Sequence, residues 1–326
     1  MGTKTVTFWQ ALNEALREEM QRDDKVVVIG EDVGLYGGAY GVSRGLFEEF
    51  GPDRVLDTPI SEAAIAGCCA GAAMTGLRPV GEIMYIDFAT IAMDELVNIA
   101  AKNRYMFGGK TKVPMVMRTE GGTGRGIAGH HSGSWEAWFL HAPGLYVVMP
   151  ATPHDAKGLL KSAIRDDNPI MFIEHKAMYG LKGEIPEEEY LIPLGKGDIK
   201  REGSDVTIVA YSLMVHYALE AAKQLAAEGI EAEVIDPRSL KPLDEDMIYS
   251  SVKKTSRAVV VSEAVKTCGF GGELAALIME NCFDYLDAAV VRVTGEDVVI
   301  PMSPVLEEAA VPSVEKIVAA VHGLLG

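Results

Sequence analysis

The chain has 326 residues, 48% hydrophobic content and a formal net charge of −17, from 47 acidic and 30 basic residues. This length predicts two domains. The charge argues against a nucleic-acid or anionic-membrane partner, because neutralising phosphates requires clustered Lys and Arg. No apolar run approaches the roughly 18 residues of a membrane-spanning helix, and residues 1–10 lack a signal-peptide pattern, so a cytoplasmic protein is expected.

The first half of the chain alternates helical and strand patterns. Phe8, Leu12, Leu16 and Met20 recur on one face of a helix predicted over 7–21. The strands that follow are predicted at 26–30, 55–56, 79–85, 113–118, 146–149 and 170–174, and the helices at 62–75, 88–105 and 154–165. Continuous apolar strands between helices are typical of a parallel sheet that is covered on both faces.

The periodicity fails between Gly180 and Gly203, where Gly, Pro and Glu dominate, and it resumes afterwards. The later strands are predicted at 206–210, 232–235, 258–262 and 289–293, and the helices at 214–228, 244–254, 271–283 and 314–325. The prediction is an α/β chain with two tandem domains and mainly parallel sheets. Residues 1–180 form the first domain, 181–203 an exposed linker and 204–326 the second domain.

Glu62 opens the helix predicted over 62–75, which consists largely of small residues. Ser61 is expected to cap this helix, and an acid in the first turn complements the helix dipole by roughly 0.3–1 kcal/mol. The alternative is a carboxyl group that takes part in a reaction. The local sequence leaves both interpretations open.

A glycine-rich stretch at 124–129 matches the GxGxxG pattern of dinucleotide-binding loops. Its context argues against that function, since His130 and His131 continue the loop where a helix should begin, and no acid for a ribose follows in 144–150. Loops after parallel strands are also where α/β proteins bind ligands. The histidines are therefore either solvated loop residues or members of an active site.

Seven segments, taken together and in order, resemble the β subunit of the E1 component of a 2-oxo acid dehydrogenase complex. They are 30–33 (GEDV), 42–46 (VSRGL), 57–62 (DTPISE), 76–80 (GLRPV), 131–132 (HS), 155–160 (DAKGLL) and 163–169 (AIRDDNP). The resemblance extends from about residue 5 to residue 325. Such enzymes use thiamine diphosphate and are similar to a transketolase divided between two polypeptides. Their β chain has a pyrimidine-binding α/β domain and a smaller C-terminal α/β domain.

The resemblance implies roles for individual residues. Glu62 matches the carboxyl group that hydrogen-bonds N1′ of the cofactor's aminopyrimidine, and an apolar surround would favour its neutral form. Ile60, Met84 and Phe88 match cofactor-binding positions, although Met84 and Phe88 also look like ordinary core residues. His131 matches an active-site histidine that assists acyl transfer to lipoamide, whereas His130 has no counterpart and is expected to be structural.

The resemblance also implies a monovalent cation, usually potassium, bound largely through backbone carbonyls. The matching positions are Met115, Ala163, Ile164, Asp166 and Asn168. The same residues 166–169 are also typical of a turn before a strand.

The chain contains no Gly-Asp-Gly triplet, the motif with which thiamine-diphosphate enzymes hold Mg²⁺ and the diphosphate. The resemblance therefore implies an E1 α subunit that holds Mg²⁺, in an α2β2 heterotetramer with the cofactor at the α/β interface. The second expected partner is the small, usually basic, subunit-binding segment of an E2 acyltransferase, which the negative charge suits.

Pyruvate and acetoin are the expected substrates. Residues 84–89, 104–110 and 174–176 are most similar to acetoin dehydrogenase β chains, and pyruvate dehydrogenase β chains are very similar. A branched-chain 2-oxo acid enzyme is the first alternative, since its relatives tend to carry Gln and Tyr in place of Met84 and Phe88. A noncatalytic subunit that links an α chain to E2 is the alternative from another functional class.

Overall fold

A computed structural model describes residues 2–326. The chain divides into two compact units. Unit 1 contains the residues up to Gly121 and Trp138–Leu194, and unit 2 contains Gly122–Ala137 and Gly195–Gly326. The segment 122–137 therefore belongs to unit 2, although the sequence placed it within a continuous first domain.

The strands of the first 194 residues are β1 (Thr3–Thr7), β2 (Val26–Gly30), β3 (Val55–Asp57), β4 (Arg78–Tyr85), β5 (Val116–Gly121), β6 (Tyr146–Val148), β7 (Ile170–His175) and β8 (Lys182–Pro186). The helices are α1 (Phe8–Arg22), α2 (Leu46–Phe50), α3 (Glu62–Met74), α4 (Ile86–Ala89), α5 (Ala101–Met106), α6 (Glu136–Leu140) and α7 (Pro153–Arg165).

In unit 1, strands β6, β7, β5, β4, β2 and β3 are neighbours in that order, and all of these pairings are parallel. Every residue of β2, β5 and β7 is buried, as the continuous apolar strands predicted. Parallel strands place their carboxyl ends at one edge of the sheet, so the loops after β2, β3, β4 and β5 open on the same side.

The small residues after Glu62 let α3 lie close to the sheet. A Cβ atom on Gly81 of β4 would lie 2.8 Å from Sγ of Cys69 and 2.7 Å from Cε of Met117. Real Cβ atoms are not found this close to other heavy atoms. The contact therefore depends on the missing side chain of Gly81 and on the small side chains of α3. The helix packs against β4 and α4, and this packing positions Glu62 at its start.

The segment predicted as one helix over 88–105 is helical throughout in the structure, but the type of helix changes along it. It consists of α4, a 3₁₀ turn at Thr90–Ala92, a π-helical segment at Asp94–Ala100 and α5. Apolar spacing alone does not distinguish these helix types, because a wide turn shifts the register of side chains by only one residue.

The strands of the remaining chain are β9 (Asp198–Arg201), β10 (Val206–Ala210), β11 (Ala232–Asp236), β12 (Ser239–Lys241), β13 (Ala258–Val265) and β14 (Val291–Gly295). The helices are α8 (Met214–Ala227), α9 (Glu245–Thr255), α10 (Phe270–Cys282), α11 (Pro304–Ala310) and α12 (Val314–Leu325). Unit 2 has a sheet in the order β14, β13, β10, β11 and β9, in which only β9 is antiparallel.

The segment 181–203, predicted as an exposed linker, contains strands at both ends. β8 pairs with β1 in an antiparallel ribbon of unit 1, and β9 forms an edge of the sheet of unit 2. The charged, glycine-containing sequence of β8 obscured this pairing, because edge strands need only one buried face. Within residues 2–326, no helix is long and apolar enough to cross a membrane.

Candidate active site

Glu62 lies half-buried at the first position of α3, after the carboxyl end of β3. The expected cap is absent: Ser61 is exposed and its side chain makes no capping hydrogen bond. Instead, the backbone N–H of Thr58 donates to the carbonyl of Gly30 at 2.9 Å and ties the preceding turn to β2. Backbone pairing, rather than a side-chain cap, therefore sets the position of this carboxyl group.

Glu31 lies near Glu62, and its chain neighbour Asp32 is a further acid. Glu31 and Asp32 follow β2, and Asp32 has a left-handed backbone with φ of 56°. Burial, and then the charges of Asp32 and Glu62, raise the pKa of Glu31. The sequence predicted a small, apolar surround for Glu62, but the tertiary structure adds this acidic neighbourhood.

The side chains expected to contact the pyrimidine ring lie on β4 and α4. Met84 and Phe88 are half-buried, whereas Ile60 is 72% exposed. The ring of Tyr85 meets that of Phe88 edge to face, with centroids 5.9 Å apart and planes at 88°. We call Met84 and Phe88 the apolar wall. The Tyr85 hydroxyl, between them in the chain, is 3.3 Å from that of Tyr40 in the loop after β2.

A buried ion-pair network joins the strand that carries Met84 to the two strands beside it. Arg118 on β5 donates from Nε and Nη2 to the two carboxylate oxygens of Glu174 on β7, at 2.7 Å each, and from Nη1 to Glu82 on β4. The Tyr179 hydroxyl donates to Glu174 at 2.7 Å. Burial disfavours the charge of Arg118, but the two carboxylates outweigh burial and raise its pKa. The network joins three neighbouring strands next to Met84, with which Arg118 lines a small cavity.

His131 ends a 3₁₀ turn, Gly129–His131, in the part of the chain that belongs to unit 2. It is half-buried, while His130 is exposed. The backbone N–H of Gly122 donates to the carbonyl of Gly133 at 2.9 Å and closes the loop that carries both histidines. We call residues 122–133 the histidine loop.

The carboxylate of Glu307 receives hydrogen bonds from the backbone N–H groups of Gly124 and Gly126, at 2.9 and 3.1 Å. Two glycines of the GxGxxG pattern thus bind an acid of the same chain, and the pattern leads into the 3₁₀ turn Gly129–His131 rather than directly into an α-helix, in agreement with the argument against a dinucleotide site. Glu307 is 5% exposed.

The positions expected to bind a monovalent cation come together at the amino-terminal edge of the sheet of unit 1. The backbone carbonyls of Ile164 and Asp166 both accept hydrogen bonds from Nη1 of Arg78, at 3.0 and 2.8 Å. The Met115 carbonyl accepts from Ile170 N–H at 3.0 Å. Two of the expected carbonyls therefore already converge on a positive charge.

Two other cation positions belong to the turn before β7. The Ala163 carbonyl accepts from the Asp166 N–H at 3.3 Å. The Asn168 backbone and side chain both donate to Oδ1 of Asp166 at 2.8 Å. Among residues 2–326, no group of three or more His, Cys, Asp or Glu side chains is arranged to hold a metal ion.

Sequence reasoning did not identify the ion-pair network or Glu307. A signal for the network was present, since Arg118 and Glu174 interrupt apolar strands that are buried on both faces. Opposite charges in two such strands predict a pair, because a buried charge needs a partner. Glu307 gave no local signal, since it lies 181 residues from Gly126 along the chain.

Comparison with known families identifies both halves of the chain. Residues 4–182 match the family described as "Transketolase, pyrimidine binding domain", and residues 195–317 match "Transketolase, C-terminal domain". The chain is 48% identical to the acetoin:2,6-dichlorophenolindophenol oxidoreductase subunit beta of Bacillus subtilis (strain 168), over 99% of this chain and 98% of the relative. The chain belongs to the transketolase-like family of E1 β subunits. The family, the two-domain α/β fold and the assignment to an oxidoreductase E1 β chain are thereby confirmed.

Two further comparisons agree with this family. The chain is 48% identical to the mitochondrial pyruvate dehydrogenase E1 component subunit beta-2 of Oryza sativa subsp. japonica, over 98% of this chain and 86% of the relative. A solved structure titled "Split gene transketolase, inactive beta4 tetramer" is 27% identical, covers 98% of each chain and superposes with a TM-score of 0.80. The identity is 48% for both the acetoin and the pyruvate relative, so sequence identity does not separate these two classes.

Proposed function

We propose that this chain is the β half of a thiamine-diphosphate-dependent E1 that acts on pyruvate or acetoin and transfers the acyl group to a lipoyl group of E2. The observation that carries the proposal is the half-buried Glu62, which starts α3 where this helix packs against the elements of Met84 and Phe88. This arrangement combines a carboxyl group with an apolar wall, as a flat aminopyrimidine requires.

Glu62 would hold a proton between its carboxyl oxygen and N1′ of the pyrimidine, and Met84 and Phe88 would cover the ring. When bound, thiamine diphosphate supplies the electron sink for breaking the carbon–carbon bond beside a carbonyl. A carboxyl group is suited to this position because it both accepts and donates a proton, and positioned acid–base groups contribute about 10²–10⁴-fold to rates. His131 would orient the substrate and assist proton transfer while the acyl group passes to the lipoyl sulfur.

The first test is Glu62→Gln in the reconstituted α/β complex. An amide cannot exchange the proton, so turnover should fall by at least about 100-fold while the complex still assembles. Glu48→Gln is a matched control, because Glu48 is another acid in the first turn of a helix and is exposed. Wild-type-like turnover of Glu62→Gln would refute the catalytic role and support a noncatalytic assembly subunit.

The proposed partners follow from what this chain lacks. With no Gly-Asp-Gly triplet, the diphosphate and its Mg²⁺ would be held by an α chain in an α2β2 assembly. The isolated β chain should then bind thiamine diphosphate weakly in calorimetry, and tight binding without α would contradict the shared site. The net charge of −17 suits the basic subunit-binding segment of an E2 as a further partner.

Assays of the reconstituted complex on pyruvate, acetoin and branched 2-oxo acids would identify the substrate. Pyruvate or acetoin should give the highest kcat/KM. A preference for branched substrates would refute the proposed substrate class, although one methylene changes discrimination by only about 1–3 kcal/mol.

A monovalent cation is the last part of the proposal, with Met115, Ala163, Ile164, Asp166 and Asn168 as its site. The carbonyls of Ile164 and Asp166 that bind Arg78 each keep a second lone pair, and oxygen donors suit a hard cation. These residues would hold potassium through the carbonyl lone pairs that Arg78 leaves open.

A further inference from the structure

Glu307, far from the histidine loop along the chain, binds this loop within unit 2. It lies in α11, and its two carboxylate oxygens accept one hydrogen bond each from Gly124 and Gly126. These donors belong to a loop with alternating left-handed residues, since φ is 82° at Gly122, 94° at Gly124 and 63° at Gly126. Such a backbone points successive N–H groups at one anion, and here the anion is a side chain of the protein itself.

A second acid strengthens the attachment at the base of the loop. The backbone N–H of Thr123 donates to Oε1 of Glu263 at 2.6 Å, and Thr123 is 5% exposed. Hydrogen bonds to ionised acceptors are roughly twice as strong as those between neutral groups. Positions 123, 124 and 126 of the loop therefore each donate a backbone hydrogen bond to an acid, and the bond from the Gly122 N–H to the Gly133 carbonyl closes the same stretch of backbone.

The loop also contacts the chain that leads into α11. A Cβ atom on Gly129 would collide with Cγ1 of Val299, and one on Gly126 would lie 3.4 Å from the carbonyl oxygen of Met302. Gly129 begins the 3₁₀ turn that ends at His131. The segment 299–307 therefore fixes the loop at Gly124, Gly126 and Gly129, the last of which is two residues from the imidazole.

We propose that Glu307 is a positioning residue for His131, acting through the backbone of the histidine loop. This inference rests on the proposed role of His131 in acyl transfer. Loss of the buried carboxylate would leave the N–H groups of Gly124 and Gly126 without their acceptor, and the loop would sample other conformations. Misplacement of a catalytic group by about 1 Å costs on the order of 100-fold in rate.

The first experiment measures the loop directly by hydrogen exchange in the full-length chain. Glu307→Gln removes the charge and places an amide N–H against a backbone N–H, so peptides covering 122–133 should exchange faster than in the wild type. Glu307→Asp, which keeps a carboxylate, should lie between the two and serves if Glu307→Gln does not fold. Glu308→Gln is the matched control, because the neighbouring Glu308 is exposed. Unchanged exchange in both Glu307 variants would overturn the proposal.

The second experiment separates positioning from general damage in the reconstituted α/β complex. Transfer to a lipoyl acceptor is compared with reduction of 2,6-dichlorophenolindophenol, which requires no acyl transfer. Glu307→Gln should lower lipoyl transfer by about 100-fold and dye reduction far less, as His131→Ala should. The double variant should be no slower than His131→Ala. Equal loss of both activities, or an additive double variant, would overturn the positioning role.

The outcomes also distinguish this inference from the function on which it rests. If His131→Ala leaves lipoyl transfer intact, the proposed role of His131 fails and the positioning role fails with it. If His131→Ala is defective and Glu307→Gln is not, only the positioning role fails.

Discussion

Arg118→Met tests whether the buried ion-pair network stabilises unit 1. The substitution keeps a long side chain but removes every donor, and it leaves Glu174 with only the Tyr179 hydroxyl. The side chain of Glu174 is fully buried, and that of Glu82 is 13% exposed. A buried carboxylate that loses its partner costs about 3–5 kcal/mol.

For a unit of this size, each kcal/mol shifts the melting temperature by about 2–4 °C, so the melting temperature should fall by about 6–20 °C. Differential scanning calorimetry of the full-length chain is the assay, because it can resolve the unfolding of two units. Arg17→Met is the control: its Nε pairs with Glu49 at 2.8 Å, but both side chains are 35% exposed. Such a surface pair contributes about 0–1 kcal/mol.

The double variant Arg118→Met/Glu174→Gln isolates the cause. Glutamine keeps an acceptor for Tyr179 and carries no charge, so the double variant should be more stable than Arg118→Met alone. A fall of less than about 3 °C for Arg118→Met, or no recovery in the double variant, would refute the argument that an uncompensated charge causes the loss.

Three further predictions concern unit 1. Burial raises the pKa of Glu18, but hydrogen bonds from Lys157 and Lys161 outweigh it and hold the pKa below its usual range. The resulting stabilisation is present at pH values above the unfolded-state pKa and is lost as the pH falls through the folded-state pKa. Thermal melts should show a steeper loss in the wild type than in Glu18→Gln, and equal slopes would contradict this. Gly144→Ala should lower the free energy of unfolding by at least about 1–3 kcal/mol, because φ is 91° and the new Cβ would collide with the Ala101 carbonyl. Gly180→Ala is the control, since a Cβ there would meet open space. Equal melting temperatures of the two variants would disprove the steric argument. Replacing choline by potassium at constant ionic strength should raise the melting temperature, and no rise would argue against the cation site.

The sequence predicted the elements that local patterns encode. Strand β2 was predicted at its observed limits, and α1 and α3 within one residue at each end, because helical and strand periodicity depend on neighbouring residues only. The same locality explains the failures. Ser61 has the right residue type for a cap but not the geometry, and the wide π turn in Asp94–Ala100 has the apolar spacing of an ordinary helix.

By itself the sequence determined the family, the alternation of strands and helices, and the placement of Glu62 at the start of a helix of small residues. Only the tertiary structure decided which distant groups meet: Glu31 near Glu62, Arg78 at the carbonyls of Ile164 and Asp166, and Glu307 at the histidine loop. These contacts depend on strand order and register, which crossover connections set over tens to hundreds of residues. Periodicity reports which face of an element is buried, but it does not report what that face will meet.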